Sequence, residues 1–469
     1  MVSGLNNLKS LFHSLFNELP NIVPVAGGGS TRKYYRLSYG DLNAVGVIGE
    51  DINENKIFLS LCDSLLKEGI KVPKIYAVSD DFSSYILEDL GDVSLFSLLN
   101  GEERMENARK AIKNLIDIQT LPENIWKSKV GFPEFSERLV RWDLNYFKYD
   151  FLKPSGILFD EERLEDDFDR LTRKLTKESM VVGLMYRDFQ SRNILVKGND
   201  LWFIDFQGAR KGPLVYDAAS FIWQAKAPFS FSEREELGEY YCKLLGESLG
   251  CRADEIEKQL NLMIVFRTLQ VLGAYGFRGL IQKKAHFIES IPFAIENLSY
   301  LKEKKLLIEF PELGRIADEL KKLYKRTQKN EEGILVISVF SFSYKQGYPQ
   351  DLSGNGGGFM FDCRAIHNPG RYDEYKKLTG MDLPVIEFLE KTPEASKFIE
   401  DAINMVVPSI EIYLKRGFTS LQIGFGCTGG QHRSVYCAEQ FARIISRKYP
   451  QIKVVLIHRE QGGERRLYN

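Results

Sequence analysis

Very few folds accommodate the run MYRDFQSRNILVKGNDLWFIDFQGA, which extends from Met185 to Ala209 of this 469-residue chain. It places Asp188 five residues before Asn193, and two apolar segments around the turn Gly198-Asn199-Asp200 then lead to Asp205. In phosphoryl transfer, one carboxylate accepts the proton of the attacking hydroxyl, while an amide and a second carboxylate hold magnesium against the nucleotide phosphates. Either aspartate by itself fits an ordinary turn acid. The spacing of Asp188, Asn193 and Asp205 together, with a predicted hairpin between Asn193 and Asp205, favours a kinase.

A glycine-rich turn, VAGGGSTRKYYRLSY at 25–39, lies between strand-like segments near the N-terminus. Gly27-Gly28-Gly29 by themselves fit an ordinary hairpin connection as well as a phosphate lid. The position of the turn ahead of the first predicted sheet favours the lid. The chain contains no GxxxxGK[ST] motif, which argues against a P-loop NTPase.

These motifs resemble the aminoglycoside and choline kinase-like superfamily, and more closely its anomeric kinases of N-acetylmuramate and N-acetylglucosamine. The closer resemblance rests on GGGSTRKYYRL (27–37), LEDLGD (87–92), DFQGARKGPLVYDAASF (205–221), and RTLQVLGAYGFRG with HFIESIP (267–292). It implies an α+β bilobal, protein-kinase-like fold of the aminoglycoside phosphotransferase type. ATP and Mg²⁺ are the implied cofactors, and a small-molecule sugar is the implied substrate.

The resemblance also assigns roles to single residues. Asp188 is the implied catalytic base, and Asn193 and Asp205 are the implied metal ligands. The implied nucleotide-binding residues lie in and just after the glycine-rich turn: Gly28, Gly29, Ser30, Thr31 and Arg32.

Several positions depart from the family pattern. Tyr186 stands where the catalytic loop usually carries histidine, Gly208 stands where an acid commonly follows DFQ, and NAVGVIGED (43–51) contains no strand lysine. The candidates for the missing positive charge are Arg32, Lys33 and Arg36. Asp217, in VYDAAS, is predicted to cap a helix or brace the catalytic loop rather than to act in catalysis.

A second anion-binding pattern, GCTGGQHRSV at 426–435, follows an apolar strand segment and opens a helix. Backbone N–H groups at a helix N-terminus, with Arg433 beside them, favour a phosphate. Cys427 and Arg433 are also separated by five residues, as in cysteine phosphatase loops. Three interpretations stand: hydrolysis by a Cys427 thiolate with Asp362 as the acid, retention of the anion without chemistry, or a tight structural turn.

The segment from about 333 to 469 resembles the C-terminal domain of the RapZ family of bacterial RNase adapter proteins. The resemblance is carried by SVFSFSYKQGYPQD (338–351), FMFDCRAIHNPGR (359–371), LTGMDLPV (378–385) and GCTGGQHRSV. It implies an α/β domain that senses glucosamine 6-phosphate, and in this setting we favour phosphosugar binding over hydrolysis. The implied binding residues are Asp362, Arg364, Cys427, Thr428, Gly429, Gly430, Gln431, His432 and Arg433. His432 has an alternative role as a helix-start histidine that is satisfied by a carbonyl.

The length of 469 residues predicts two or three domains. We expect a phosphotransferase domain at 1–325, with a small lobe at about 1–95 and a large lobe at about 96–325. A mixed-charge linker is predicted at 326–333, followed by the RapZ-type domain at 334–469.

Charge and cysteine content restrict the partners. A net charge of −1 gives no whole-chain reason to expect nucleic acid or membrane binding. Arg465-Arg466, beside Glu460 and Glu464, make a poor electrostatic footprint for RNA. The six cysteines form no CxxC pair, and no run of eighteen apolar residues occurs. A cytoplasmic protein without a membrane or nucleic-acid partner is expected.

The sequence therefore predicts an ATP-dependent kinase of an amino sugar in cell wall recycling, fused to a phosphosugar-sensing domain. A kinase for another small alcohol, such as choline or an aminoglycoside, is the alternative within enzymes. A regulatory phosphosugar-binding protein with a degenerate kinase half is the alternative outside them.

Overall fold

Alternating apolar side chains in residues 33–48 form the centre of an antiparallel sheet in the computed structural model. Its strands, in the order β1-β2-β3-β5-β4, are β1 (Asn21–Pro24), β2 (Lys33–Tyr39), β3 (Leu42–Ile48), β4 (Ile75–Val78) and β5 (Ser84–Glu88). Helix α1 (Val2–Phe16) buries Leu8 and Phe12 against Leu37 and Ile86 of the sheet. Helix α2 (Ile52–Lys67) connects β3 to β4.

The chain after this sheet is mainly helical up to residue 328. Its helices are α3 (Leu95–Leu98), α4 (Arg104–Gln119), α5 (Glu123–Trp126), α6 (Glu137–Tyr146), α7 (Glu161–Thr176), α8 (Val215–Ile222), α9 (Phe231–Leu249), α10 (Ala253–Tyr275), α11 (Ala285–Ile288), α12 (Ile291–Glu303) and α13 (Pro311–Gln328). Two π-helical segments, Phe147–Leu152 and Gly276–Ile281, continue α6 and α10. By length and composition alone Ala253–Ile281 could cross a membrane, but 56% of its most apolar window is buried, as in a core helix.

Two small antiparallel ladders interrupt the helices and carry the motif that begins at Met185. Strand β6 (Val182–Met185) pairs with β9 (Arg210–Pro213), and β7 (Ile194–Lys197) pairs with β8 (Asp200–Phe203). The β7–β8 hairpin turns at Gly198, whose φ of +64° suits glycine. The predicted hairpin is therefore confirmed, and its second strand ends two residues before Asp205.

A second sheet forms the C-terminal part of the chain. Its strands, in the order β11-β12-β10-β13-β14, are β10 (Val336–Ser343), β11 (Gly358–Asp362), β12 (Ser420–Cys427), β13 (Lys453–His458) and β14 (Arg465–Tyr468). All pairs are parallel except β13–β14. The helices of this part are α14 (Leu383–Glu390), α15 (Pro393–Arg416) and α16 (Arg433–Lys448), and α16 lies against β10, β12 and β13. Because parallel strands end at one edge, this topology brings Ser343, Asp362 and Cys427 to the same side of the sheet.

The structure describes residues 2–25, 32–127, 133–176, 180–328, 333–349, 358–462 and 465–468. These residues belong to two compact units. The first comprises Met1–Asn145, Glu161–Val271 and Glu296–Gly314, and the second comprises Tyr146–Asp160, Leu272–Ile295 and Arg315–Asn469. Helix α13 continues to Gln328, inside the linker predicted at 326–333. The domain boundaries drawn from the sequence remain a prediction.

Candidate phosphoryl-transfer and anion-binding sites

Asp217 fixes the backbone that presents Asp188. Its carboxylate accepts hydrogen bonds from the backbone N–H of Tyr186 at 2.8 Å and of Arg187 at 2.7 Å. Arg187 has a φ of +76°, a conformation that costs a non-glycine residue free energy. Asp217 is the third residue of α8 rather than its cap, so the predicted brace is observed and the predicted cap is not.

A chain of buried polar groups supports Asp217 in turn. Gln119, at the end of α4, donates from Nε2 to Asp217 Oδ2 at 3.1 Å and to the Leu214 carbonyl at 2.7 Å. Tyr241 of α9 donates to Gln119 Oε1 at 2.9 Å. Burial raises the pKa of Asp217 to about 7, although its bonds to the loop N–H groups act in the opposite direction. Sequence reasoning missed Gln119 and Tyr241, because neither belongs to a motif.

Asn193 connects the two aspartates of the motif. Its Nδ2 donates to the Asp188 carbonyl at 2.9 Å and to Asp205 Oδ2 at 3.2 Å. The other oxygen of Asp205 accepts from Gln207 Nε2 at 2.7 Å. Asp205 itself lies at a φ of +67°, two residues after the end of β8. The structure thus brings together the three residues that the sequence predicted for catalysis and metal binding.

The side-chain oxygens of Asn193 and Asp205 are suitable ligands for magnesium. Asp205 offers a carboxylate and Asn193 an amide oxygen, and Mg²⁺ is usually held by one or two protein oxygens, with substrate phosphates and water completing its shell. In the described parts of the chain, no three His, Cys, Asp or Glu side chains are grouped to form a site made by the protein alone. That agrees with a site that nucleotide phosphates would complete.

Gly208 lies directly beside Asp188 and Arg187. Burial raises the pKa of Asp188, and the neighbouring Arg187 guanidinium opposes that effect most strongly. A Cβ atom placed on Gly208 would lie 3.3 Å from Arg187 Nη1 and 3.4 Å from Asp188 Oδ2. A side chain at position 208 would therefore press against both Arg187 and Asp188.

Tyr186 occupies the usual histidine position and has a clear structural role. Its hydroxyl donates to the Ile204 carbonyl, next to Asp205. Its buried ring makes edge contacts with Phe189 and Phe206, with centroid distances of 5.5 and 5.8 Å. Tyr186 thereby ties the Asp188 loop to the segment that carries Asp205.

Arg32 is the best placed of the three candidates for the missing lysine. It is buried, and its Nη2 lies 3.7 Å from Glu54 Oε2 on α2. Lys33 is exposed, and Arg36 is engaged with Asp89 and Asp92 at 2.8 and 2.9 Å. A basic group paired with a helix glutamate is the arrangement that protein kinases build from their strand lysine. Gly28, Gly29, Ser30 and Thr31 lie outside the described residues.

Cys427 is enclosed by its own loop at the end of β12. It is 3% exposed, and its sulfur accepts the Gly430 backbone N–H at 3.2 Å. Ser434 Oγ lies 3.1 Å from the same sulfur. Sequence reasoning missed Ser434, although it directly follows the Cys-x5-Arg spacing. Gly430 has a φ of +67°, which explains a glycine at this point of the loop.

The side chains of Gln431 and His432 anchor the loop. Gln431 Nε2 donates to the carbonyls of Lys376 and Leu378 at 2.9 and 2.7 Å. His432 Nε2 donates to the Tyr375 carbonyl at 2.9 Å, as its alternative role predicted. Backbone carbonyls therefore satisfy the donors that these two side chains use.

Arg433 links the loop to the predicted Asp362–Arg364 pair. Its Nη1 donates to the carbonyls of Arg364 and Ile366 at 2.8 and 3.0 Å. The guanidinium of Arg364 bonds both carboxylate oxygens of Asp362 at 2.6–2.9 Å, and this pairing lowers the pKa of Asp362. Asp362 is thus held as a carboxylate, whereas the acid of a phosphatase must carry a proton.

The remaining loop positions differ in their exposure to possible ligands. The Thr428 carbonyl accepts from Ser343 Oγ at 2.7 Å. No described atom lies within 4 Å of the Cβ position of Gly429, so the loop surface is open there. Glu460, which follows β13, points a buried carboxylate oxygen at Gly430, and its other oxygen accepts from Arg459 Nε at 3.0 Å. Glu460 is a further loop neighbour that the sequence did not indicate.

Comparison with known families divides the chain in two. The model of the phosphotransferase enzyme family matches residues 21–253, and the model of the RapZ C-terminal domain matches residues 335–462. Nucleotide-binding proteins of Burkholderia mallei (strain SAVP1) and Burkholderia pseudomallei (strain 668) are each 35% identical over 168 residues. That stretch is 34% of this chain and 53% of each relative. The chain thus spans about half the length of the curated relatives it matches.

Solved structures with a similar fold are more distant in sequence. A choline kinase of Cryptosporidium parvum has a TM-score of 0.45 and 15% identity, over 65% of this chain and 93% of its own. A choline kinase of Streptococcus pneumoniae has a TM-score of 0.45 and 13% identity, over 63% of this chain and 99% of its own.

Proposed function

The chain joins a kinase-like α+β domain of the phosphotransferase enzyme family to a separate α/β domain of RapZ C-terminal type, and on this premise we propose that it is an ATP-dependent amino-sugar kinase with a phosphosugar sensor. The acceptor is of the N-acetylmuramate or N-acetylglucosamine type, and its anomeric hydroxyl is phosphorylated. The protein acts in the cytoplasm, in cell wall recycling, without a membrane or nucleic-acid partner.

The observation that carries the kinase proposal is the Asn193 bridge between the Asp188 backbone and the Asp205 carboxylate. Asp188 takes the proton of the acceptor hydroxyl. The oxygen of that hydroxyl forms a bond to the γ-phosphorus of ATP while the bond from phosphorus to the β–γ bridging oxygen breaks, which releases ADP. The Asn193 bridge holds base and metal ligand at a fixed separation, as positioning catalysis requires.

Asn193 and Asp205 would hold Mg²⁺, which would neutralise the negative charge of the nucleotide phosphates. Arg32 contributes positive charge on the nucleotide side, and Glu54 keeps its guanidinium in place. The preceding residues Gly28 to Thr31 would close over the phosphates. The alternative of a degenerate kinase half relied on the absent lysine and the absent histidine. The placement of Arg32 and Tyr186 weakens that alternative.

In the C-terminal domain, we propose that the 427–433 loop retains a phosphosugar of the glucosamine 6-phosphate type without hydrolysing it. The ionised Asp362 supports retention, because a phosphatase needs a protonated acid at the leaving group. Cys427, Thr428, Gly429 and Gly430 form the cradle. Gln431, His432 and Arg433 fix it to neighbouring segments, and Arg364 adds positive charge.

A transfer assay tests the kinase proposal. The protein is incubated with labelled ATP, magnesium and a panel of N-acetylmuramate, N-acetylglucosamine, glucosamine, choline and kanamycin. We expect transfer to an amino sugar that Asp188→Asn abolishes and that Asp200→Asn, on the exposed β7–β8 turn, leaves intact. Transfer to choline or kanamycin alone would replace the proposed acceptor, and activity unaffected by Asp188→Asn would refute the assigned base.

A thermal-shift titration with glucosamine 6-phosphate tests the sensor. We expect stabilisation of the wild type that Arg433→Ala removes, whereas Arg447→Ala, on the exposed face of α16, retains it. Hydrolysis of a phosphate ester that disappears in Cys427→Ser would instead establish the phosphatase interpretation.

A further inference from the structure

Glu460 places an unpaired carboxylate oxygen beside the 427–433 loop. Its Oε2 atom is buried and lies 2.7 Å from the position that a Cβ atom would take on Gly430. Among the described residues, no donor forms a hydrogen bond with this oxygen. Buried polar atoms of folded proteins are almost always paired. A buried acceptor without a protein donor therefore indicates a point at which a ligand donates.

Arg459 holds the Glu460 carboxylate in this position. Arg459 Nε donates to Glu460 Oε1 at 3.0 Å, and both side chains are largely buried. Arg459 is itself fixed, because its Nη2 donates to the Gly347 carbonyl at 2.8 Å and its backbone N–H to the Ser341 carbonyl at 3.1 Å. The ion pair thus occupies Oε1 and leaves Oε2 directed at the loop.

The other groups that the loop offers to a ligand are donors. In the part of the chain that the structure describes, the backbone N–H groups of Thr428, Gly429 and Gln431 have no acceptor. Arg433 is 6% exposed, and its buried Nε likewise has no described acceptor. Donors of this kind bind an anion. Glu460 Oε2 is therefore an acceptor placed among anion-binding donors.

The remaining ionisable groups near the loop are engaged elsewhere. Those that face it are held by the contacts described above: Asp362, Arg364, Cys427, His432 and Arg433. In the adjoining sheet, the His458 ring lies 3.1 Å from Glu439 Oε1 and 2.8 Å from Ser341 Oγ. Burial raises the pKa of Tyr344 to about 12, which keeps its hydroxyl neutral. Among these described side chains, Glu460 provides the carboxylate oxygen that can accept from a ligand.

We propose that Glu460 makes the loop selective for a phosphate monoester that retains one proton, because Oε2 accepts a hydrogen bond from the P–OH group. This inference rests on the proposed phosphosugar binding. A singly protonated phosphate has one donor for Glu460 and further oxygens for the N–H groups and the guanidinium. A sulfate monoester has the same charge and a similar shape but no proton. Its oxygen would face the carboxylate with no hydrogen between them, and such an unpaired contact disfavours binding.

The proposal also fixes how binding depends on pH. The second pKa of a phosphate monoester is about 6, so its singly protonated fraction falls by about 50-fold between pH 6 and pH 8. The wild-type affinity for glucosamine 6-phosphate should fall by a similar factor, because the carboxylate repels the dianion.

Calorimetric titration of the full chain with glucosamine 6-phosphate and glucosamine 6-sulfate, at pH 6 and pH 8, tests the role of Glu460. At pH 6 we expect the wild type to bind the phosphate ester about 10- to 100-fold more tightly than the sulfate ester. Glu460→Gln can donate from its amide, so it should bind both esters within about threefold and keep its affinity for the phosphate ester at pH 8. Glu400→Gln, on the exposed face of α15, is the matched control and should behave as the wild type.

The design separates the proton of the ligand from titration of the protein. Protonation of His432 would affect both esters and both proteins alike, whereas protonation of the ligand affects only the phosphate ester. A thermal-unfolding scan confirms that Glu460→Gln folds, and the comparison of the two esters in the wild type requires no variant.

Two outcomes overturn the inference. One is equal affinity of the wild type for the phosphate and sulfate esters at pH 6. The other is a loss of affinity in Glu460→Gln that occurs with glucosamine 6-phosphate and is absent with glucose 6-phosphate. That result would assign Glu460 to the amino group of the sugar.

Titration with inorganic phosphate and inorganic sulfate distinguishes failure of this inference from failure of the proposed sensor. Phosphate binding that excludes sulfate and depends on Glu460, without binding of glucosamine 6-phosphate, would refute the sensor while upholding the role of Glu460. Binding of glucosamine 6-phosphate with no preference over its sulfate analogue would uphold the sensor and refute the role of Glu460. Absence of binding to every phosphate compound by the folded wild type would refute both.

Discussion

A single buried carboxylate, Asp217, holds the backbone that presents Asp188. Asp217 accepts two N–H groups of the catalytic loop, and Gln119 contributes a third hydrogen bond. Removal of a buried acceptor of this kind is destabilising mainly because the N–H groups that it bound are left without a partner. The loop conformation, with Arg187 at positive φ, therefore depends on a residue that is itself fully buried.

We predict that Asp217→Asn changes how the free energy of unfolding depends on pH. The folded-state pKa of Asp217 is raised to about 7, above its ordinary value of 3.8. The proton-linked stabilisation is thus complete below about pH 4 and is lost as the pH rises through 7. From pH 5 to pH 8 the free energy of unfolding of the wild type should fall by about 2 kcal/mol more than that of the variant.

Thermal unfolding midpoints at pH 5 and pH 8, for wild type and Asp217→Asn, measure this difference. Asp200→Asn controls for the loss of an exposed acid and should follow the wild type. An identical pH dependence in wild type and Asp217→Asn would contradict the raised pKa. Because asparagine presents an N–H donor to one of the loop N–H groups, kcat should also fall by at least about tenfold.

Motifs revealed those residues whose chemistry depends on local spacing. Asp188, Asn193 and Asp205 were predicted because a short hairpin brings them together within one continuous stretch. Gln119 and Tyr241 were not predicted, because their proximity to the loop depends on tertiary packing of α4 and α9. Arg32 and Arg36 looked equivalent in the sequence, and only the burial of the first and the ion pairs of the second distinguish them.

At the scale of elements, α2 supplies the glutamate that positions Arg32. Asp51 caps the helix by accepting from the Glu54 backbone N–H at 3.0 Å, so the residue that faces Arg32 lies in a well-ordered first turn. The family pattern places a lysine on a strand for this purpose. We propose that an arginine directly before β2 takes this role here.

We predict that Arg32→Met lowers kcat/KM for ATP by about 100-fold, since removal of a preorganised charge from a phosphate site costs about that much. Glu54→Gln should raise KM for ATP by a smaller factor, because the guanidinium remains but loses its partner. Lys33→Met, at the exposed neighbouring position, is the control. Initial rates at varied ATP concentrations measure all three, and an unchanged Arg32→Met enzyme would exclude Arg32 from nucleotide binding.

The loop between β12 and α16 is likewise held by elements outside its motif. Gln431 and His432 bond to the carbonyls of residues 375–378, and Arg433 bonds to those of residues 364–366. The sequence assigned these three side chains to the ligand. Their observed bonds indicate that much of their contribution is to the shape of the cradle.

We predict that Gln431→Ala weakens glucosamine 6-phosphate binding by about tenfold, because it releases two carbonyls and lets the cradle relax. Gln451→Ala, on an exposed turn before β13, should bind as the wild type does. Calorimetric titration measures the affinities. Wild-type affinity in Gln431→Ala would show that the loop keeps its shape without this anchor.

At the scale of the whole molecule, the expected fold class is confirmed: a kinase-like phosphotransferase domain precedes a RapZ-type α/β domain. That prediction came from the resemblance of each half to a known family, which local motifs in each domain carry. The division into compact units could not be predicted in the same way. It assigns Tyr146–Asp160 and Leu272–Ile295 to the second unit, and no local pattern marks such a tertiary grouping.

The two sites draw on separate residues, and this leads to a prediction for the intact chain. Asp188, Asn193 and Asp205 lie in the first unit, whereas the 427–433 loop lies in the second. Asp188→Asn should therefore abolish phosphoryl transfer while it retains the glucosamine 6-phosphate thermal shift. Arg433→Ala should lose the shift and keep the turnover of the ligand-free wild type within about twofold, because the two sites use separate residues. Transfer and thermal-shift assays on the same preparations measure both; loss of turnover in a folded Arg433→Ala protein would mean that the sensor loop is required for catalysis.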